Sequence, residues 1–297
     1  LAGEALDDAT FQSVYQEAAE PPTRRIEKSG LVDSEFGSYL FTRLCMMTEL
    51  TARWLTDSFA ALTMRPVAEE VRLSEEPESA LRPLKLEEGE WNIELRGQVD
   101  RVDSVPLEDG PGWLVVDYKL SQRKFDFSRW EGGENLQLPV YMLTINQDSE
   151  HRTAVGGFYL QVALEGEDAE KRRYQGIAPV RLYRQLFDEL KWTKLDFIQG
   201  AQGDPVKEPR GWGTAVRDDE FDAVLAQTRT KIEGIAGQIK KGHVTVHPSR
   251  YGRSTACAWC SYRPVCRMDY RTNRANIKLN RSRRDVLADL RGGTDAG

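Results

Sequence analysis

The sequence predicts an α/β fold, a mixed central β-sheet flanked by helices. Three observations carry that prediction. Residues 93–103, IELRGQVDRVD, alternate: Ile93, Leu95, Gly97 and Val99 fall on one side, and Glu94, Arg96, Gln98 and Asp100 on the other. Period two is the mark of a half-buried strand. Residues 112–120, GWLVVDYKL, are apolar through Val116 and read as a more buried strand. Several stretches with apolar residues at helical spacing surround this pair.

Residues 1–30 are acidic and then Pro-containing, and read as a short helix followed by an exposed loop. Residues 33–64 read as a long helix, with Leu40, Leu44, Met47, Leu50, Trp54, Leu55 and Leu62 at helical spacing. Pro66 ends it, VAEEVRL (67–73) reads as a first strand, and the polar residues 74–90 read as a loop. The two central strands are separated by PLEDGPG, residues 106–112, a hairpin turn signal. Residues 121–135 form an approach loosened by Gly132 and Gly133, and Leu136–Ile145 a helix with Pro139 in its first turn, where a missing N–H is harmless. That helix crosses over to a strand at 154–164, AVGGFYLQVAL. Residues 180–199 (Leu182, Leu186, Leu190, Leu195, Ile198) and 218–241 (Phe221, Leu225, Ile232, Ile235, Ile239) read as amphipathic helices around a Gly/Pro loop at 200–213. This divides the chain into a helical segment, 1–65; a core with a helical insert, 66–245; and a Cys-rich tail with a basic C-terminus, 246–297.

The chemistry lies where the central strands end. Asp100 lies late in the first run and Asp117 late in the second, and Lys119, two residues on, leaves the same strand face as Asp117. Two carboxylates at close range repel unless a proton or cation intervenes, and a hard divalent ion with oxygen ligands relieves that. A lysine beside them can orient a water activated by the metal or neutralise charge growing on a phosphate oxygen.

The series G-Q-V-D, D-Y-K and L-Q-L-P-V-Y resembles the PD-(D/E)XK nuclease superfamily, in its RecB/AddB-type branch. The resemblance implies a restriction-endonuclease-like core and an Mg²⁺- or Mn²⁺-dependent DNA exonuclease or endonuclease. Asp100, Asp117 and the backbone carbonyl of Tyr118 would hold the metal, Lys119 would be the catalytic lysine, and Gln137 with Tyr141 would form a helix pair near the DNA. It further implies that the parent is a helicase–nuclease subunit that processes double-strand breaks for recombination, acting on single strands or duplex ends beside a helicase. Glu69 and Glu70 are read as exposed strand residues, although the branch sometimes places an acid of this strand near the metals. The alternatives are a non-catalytic DNA-binding or scaffolding module of the same fold and a zinc-binding regulatory domain.

The 297 residues, 40% hydrophobic, suffice for a substantial core. No apolar run approaches membrane-spanning length and no secretory signal is visible, so the chain is expected in the cytoplasm and away from membranes. It begins at Leu1 rather than Met and is expected to be a piece of a longer chain. Neither a P-loop pattern nor a dinucleotide fingerprint occurs. The net charge of −6 does not advertise a nucleic-acid binder, but residues 267–291 carry eight Arg or Lys against three Asp, eight minus three giving +5. That stretch is either a nucleic-acid signal or a solvated, basic end.

Cys257, Cys260 and Cys266 form C-x₂-C-x₅-C, and such crowding without a secretory signal argues for metal or cluster ligation over disulfides. Zinc with His243 or His247 as fourth ligand is one reading; the AddB-like resemblance implies three of four thiolates of a 4Fe–4S cluster, shielded by Trp259 and Tyr262. The fourth ligand is expected either at Cys45 or before Leu1, and an upstream helix bearing a histidine is expected there too.

Overall fold

The computed structural model describes residues 6–88, 91–108, 110–147, 152–162, 172–182, 215–269 and 275–292. Its centre is a six-stranded mixed sheet in the order β1-β4-β5-β6-β7-β8. The strands are β1 (Arg65–Arg72), β4 (Gln98–Leu107), β5 (Gly110–Lys119), β6 (Thr153–Gln161), β7 (Tyr174–Pro179) and β8 (Ala215–Val216). β2 (Leu84–Glu88) and β3 (Trp91–Leu95) form a separate antiparallel pair. β4 and β5 pair antiparallel from Leu107 opposite Gly110 inwards, so the hairpin turn is tighter than residues 106–112 suggested, and both of its prolines lie within strands. β5 and β6 are parallel, as the crossover reading required.

Two apolar layers cover the sheet. On one face Val105, Leu114, Val116, Phe158 and Leu160 pack with Trp54 of α2 (Glu35–Ala61). On the other, Val102 and Val115 meet Leu138 and Met142 of α4 (Gln137–Gln147), with Phe221 and Leu225 of α5 (Asp218–Lys240) and Val286 and Leu290 of α7 (Arg283–Gly292) behind them. Each fully buried side chain of this size contributes roughly 1.5–3 kcal/mol. Gly157 lets α4 approach closely: a Cβ there would come within 3.2 Å of both Leu138 and Val115. At Gly176, on neighbouring β7, a Cβ would collide with the backbone carbonyl of Gly157.

Several sequence expectations are corrected. The run 93–103 is two strands, broken at Arg96–Gly97; the pair β2–β3 takes the first half away from the main sheet. Residues 74–90 hold β2, whose Leu84 and Leu86 are buried. The polar flanks of that strand hid its two core residues. Residues 8–28 are one 21-residue helix, α1 (Asp8–Lys28), which runs through Pro21 and Pro22 and leans on α2 through Phe11, over which Arg53 sits 4.3 Å from the ring centroid. The approach 121–135 contains α3 (Phe127–Glu131), where Trp130 is wholly buried and donates to Thr228 Oγ1 at 2.8 Å. β7 and β8 were not foreseen, and the helix expected over 180–199 lies beyond Leu182 outside the described residues.

The C-terminal segment docks on α3. A small sheet of β9 (Ser249–Tyr251), β10 (Ser254–Thr255) and β11 (Asn276–Lys278), with the short α6 (Arg263–Cys266) between its last two strands, is followed by α7. Ser128 Oγ donates to Leu279 O at 3.0 Å and accepts from Arg281 N at 3.1 Å. Part of the basic stretch is tied into the fold: Arg281 pairs with Glu131 and Asp289, and Arg291 lies 3.5 Å from Glu220, while Arg267 and Arg284 are exposed.

Candidate active site

The β4–β5 register sets Val102 opposite Val115 and Arg101 opposite Val116, and one further step sets Asp100 opposite Asp117. Directly opposed residues share a sheet face. That is the face covered by α4, and Lys119 shares it by strand parity. β6 completes the floor, with Tyr159 beside Asp117 in the parallel register.

Asp117 is buried, and its two oxygens have different neighbours. Oδ1 accepts from Gln137 Nε2 at 2.7 Å. Oδ2 is in ion-pair contact with Lys119 Nζ. Asp100 Oδ2 accepts from the backbone N–H of Tyr118 at 2.7 Å, which turns the first carboxylate towards the second strand. Gln137 also donates to Tyr141 Oη at 3.3 Å, and Tyr141 Oη donates to the backbone carbonyl of Gln98 at 2.7 Å. The helix pair thus ties α4 to both acidic strands. Its described contacts are with the acid and the strand.

The electrostatics follow from the layout. Burial raises the Asp117 pKa above the usual carboxylate range, and the charge of Asp100 adds to this, while Lys119 and Gln137 oppose it. Burial also raises Tyr141, and the charges of Asp117 and Asp100 add to that shift. Tyr159 is raised by burial and by Asp117 in the same way. A pocket that disfavours its own carboxylate charge is one that a cation relieves.

The opposite face of the same strands is occupied differently. Arg101, 2% exposed, grips Asp103, 0% exposed, through Nε to Oδ1 at 2.8 Å and Nη2 to Oδ2 at 2.9 Å. It also donates to Tyr118 Oη at 2.5 Å and Tyr174 Oη at 2.9 Å. Neither residue was singled out in the sequence, where Arg101 and Asp103 interrupt the apolar side of the alternation. The only signal was that alternation itself, which puts 101 and 103 on the face opposite Asp100.

Glu69 lies opposite Arg101 in the β1–β4 register. Glu70 has φ +51° and accepts a hydrogen bond from Gln98 Nε2. Tyr118 contributes its N–H to Asp100 and its hydroxyl to Arg101. Asn135, which accepts from Tyr159 Oη at 3.0 Å, escaped sequence reasoning because nothing local marks it. Among the described residues no group of three or more His, Cys, Asp or Glu side chains gathers as a metal site. Cys257 is half-buried, Cys260 and Cys266 are exposed, and all three are free thiols. The Cys45 backbone carbonyl accepts from Tyr15 Oη of α1 at 3.1 Å, and burial raises its thiol pKa. His243 and His247 are exposed, and so is Tyr262.

Residues 3–267 match the PD-(D/E)XK nuclease superfamily. The chain belongs to that superfamily. Within it, the sequence is similar to three proteins described as subunits of an ATP-dependent helicase/deoxyribonuclease. The protein of Symbiobacterium thermophilum is 28% identical over 82% of this chain and 22% of its own length. Those of Exiguobacterium sibiricum and Acetivibrio thermocellus are 25% and 24% identical, over 98% and 94% of this chain and 27% and 26% of their own lengths. The chain spans about a quarter of the curated relatives it matches. The mixed sheet flanked by helices is that of a PD-(D/E)XK nuclease fold. No helix among the described residues is long and apolar enough to cross a membrane.

Gln137→Ala removes the donor to Asp117 Oδ1. Partners one shell out from a metal ligand cost about 10–100-fold in activity or metal affinity when lost. The expected outcome is a fall of that size in metal-dependent cleavage, with Gln137→Glu no better because it adds a third acid. Steady-state rates across a metal titration check it, and unchanged rates would leave Gln137 a packing residue only.

Proposed function

We propose that this chain is a divalent-metal-dependent deoxyribonuclease, the nuclease part of a subunit that works beside a helicase on the DNA of double-strand breaks. The observation that carries the reading is the buried Asp117, held through one oxygen by Gln137 and facing Lys119 with the other, with the charge of Asp100 close beside it. The donor set suits a hard cation: Mg²⁺ is held by one or two carboxylates, completing its shell with water and substrate phosphate. Asp100 and Asp117 would hold it, with the Tyr118 carbonyl as a further oxygen. Such an ion, when bound, lowers the pKa of coordinated water and offsets charge on the phosphate.

The chain's own groups do the rest. Gln137 fixes the Asp117 carboxylate by one oxygen and leaves the other facing Lys119. Lys119, partly exposed at the mouth of the site, orients the attacking water and meets negative charge on the phosphoryl oxygens. The tail reading stands beside this one: Cys257, Cys260 and Cys266 offer three thiolates by their donor chemistry, enough for a zinc or 4Fe–4S site only with a fourth ligand, for which Cys45, His243, His247 or a residue before Leu1 would serve. The absence of a third acid or histidine beside Asp100 and Asp117 among the described residues favours a second reading, a DNA-binding scaffold that does not cut.

The test is cleavage of end-labelled DNA by protein prepared without air. Expected is Mg²⁺- or Mn²⁺-dependent hydrolysis lost on chelation. Metal analysis of the same sample is expected to find iron, with thiolate-to-iron absorption. DNA bound but uncut across metals would sink the nuclease reading in favour of the scaffold, and a colourless, zinc-containing protein would replace the cluster by zinc.

A further inference from the structure

A cavity of about 770 Å³ opens directly from the candidate active site. Its lining includes Lys119, Gln137 and Tyr159 of the site, Arg123 and Lys124 of the β5–α3 loop, and Ser254 of β10. We propose that this groove is a track for the sugar–phosphate backbone of a single DNA strand, in which Arg123 and Lys124 hold phosphates away from the cleaved bond. The proposal rests on the nuclease reading and assigns its substrate's path.

Charge decides what the groove can take. Two acids line it, Asp126 and Glu134, and both are engaged within the protein. Asp126 caps α3, accepting from Arg129 N at 3.1 Å, and Glu134 Oε2 accepts from Arg129 Nη1 at 2.8 Å. Arg129 is itself held, since its Nη2 donates to Ser254 Oγ at 2.8 Å and its guanidinium lies 4.9 Å from the Tyr251 ring centroid. That bridge fixes the width between α3 and β10. Arg123 and Lys124 differ: both are exposed, and neither has an ion-pair partner among the described residues. The groove therefore presents spare positive charge beside the catalytic lysine.

Shape and surface narrow the ligand further. The volume lies in the range of small-molecule clefts, a scale that suits the backbone of one strand. Among the described residues of its lining Tyr159 is the one aromatic, and its ring lies under Lys119, 5.7 Å from Nζ, with its hydroxyl spent on Asn135. Positive charge without a stacking platform reads backbone and not bases, so binding is sequence-independent and salt-sensitive.

The experiment compares the parent with Arg123→Ala/Lys124→Ala on two substrates, a labelled oligothymidylate and an aryl phosphodiester too small to enter the track. The rate ratio of oligonucleotide to aryl ester is expected to fall about tenfold through KM. In an Asp117→Asn background, the slope of log binding constant against log salt for oligothymidylate should flatten by about 1.4, two phosphates at roughly 0.7 each. Arg123→Lys/Lys124→Arg should restore both values, which sets aside misfolding. An unchanged ratio with an unchanged slope overturns the track. If the parent cleaves neither substrate, the nuclease reading falls while the salt slope still decides the groove.

Discussion

Asp117→Asn should reduce metal-dependent cleavage by about a thousandfold or more while leaving the protein as stable as the parent, or more so. The first half follows from the proposed metal site, which would lose a ligand and its charge beside Lys119. The second follows from linkage. Burial and Asp100 raise the folded-state pKa of Asp117, so between the ordinary carboxylate pKa and the raised one the folded protein binds more protons than the unfolded chain. Its stability in that window falls as pH rises. Asn carries no charge to desolvate and keeps an oxygen for Gln137, so that slope should vanish. Mg²⁺ should raise the melting temperature of the parent and not of the variant, because a ligand stabilises only the state that binds it. Thermal melts across pH, with and without Mg²⁺, check this. A variant that melts far below the parent would mean that Asp117 is structural, and retained cleavage would remove it from the site.

Asp103→Ala is expected to cost about 3–5 kcal/mol of folding stability, because Arg101 would be left buried without its counter-charge. The guanidinium also anchors Tyr118 and Tyr174 and lies 5.1 Å from the Phe59 ring centroid, so the loss reaches α2 as well as the sheet. Removing both charges should be milder: Arg101→Met/Asp103→Leu replaces an ion pair by apolar contacts, a change often neutral or stabilising. Urea unfolding measures the difference through the midpoint. A loss below about 1 kcal/mol in Asp103→Ala would show that water or rearrangement satisfies Arg101.

Much of this was legible beforehand because strand parity is local. Asp117 and Lys119 could be placed on one face from spacing alone, and α4 with its first-turn proline could be placed after them, whereas the face of Asp100 needed the β4–β5 register. The crossover to β6 was legible for the same reason. What failed depended on distant partners. The break at Arg96–Gly97 is invisible in an alternating run, since β3 departs only because β2 offers it a mate. Pro21 and Pro22 looked like terminators, yet α1 continues through them. The Arg101–Asp103 pair was hidden because two charges two residues apart look solvated until α2 and β7 close over them. The groove could not be read at all, because its walls come from the β5–α3 loop and from β10, more than a hundred residues apart.

The alternation along β4 places its two jobs on neighbouring residues. Asp100 faces the chemistry, while Arg101 anchors the reverse side. Inserting or deleting one residue anywhere between Asp100 and the hairpin would exchange those roles, turning a guanidinium into the ion site and an acid into the apolar layer. Point changes can fail on one side at a time, but a frame slip in this strand has no survivable half.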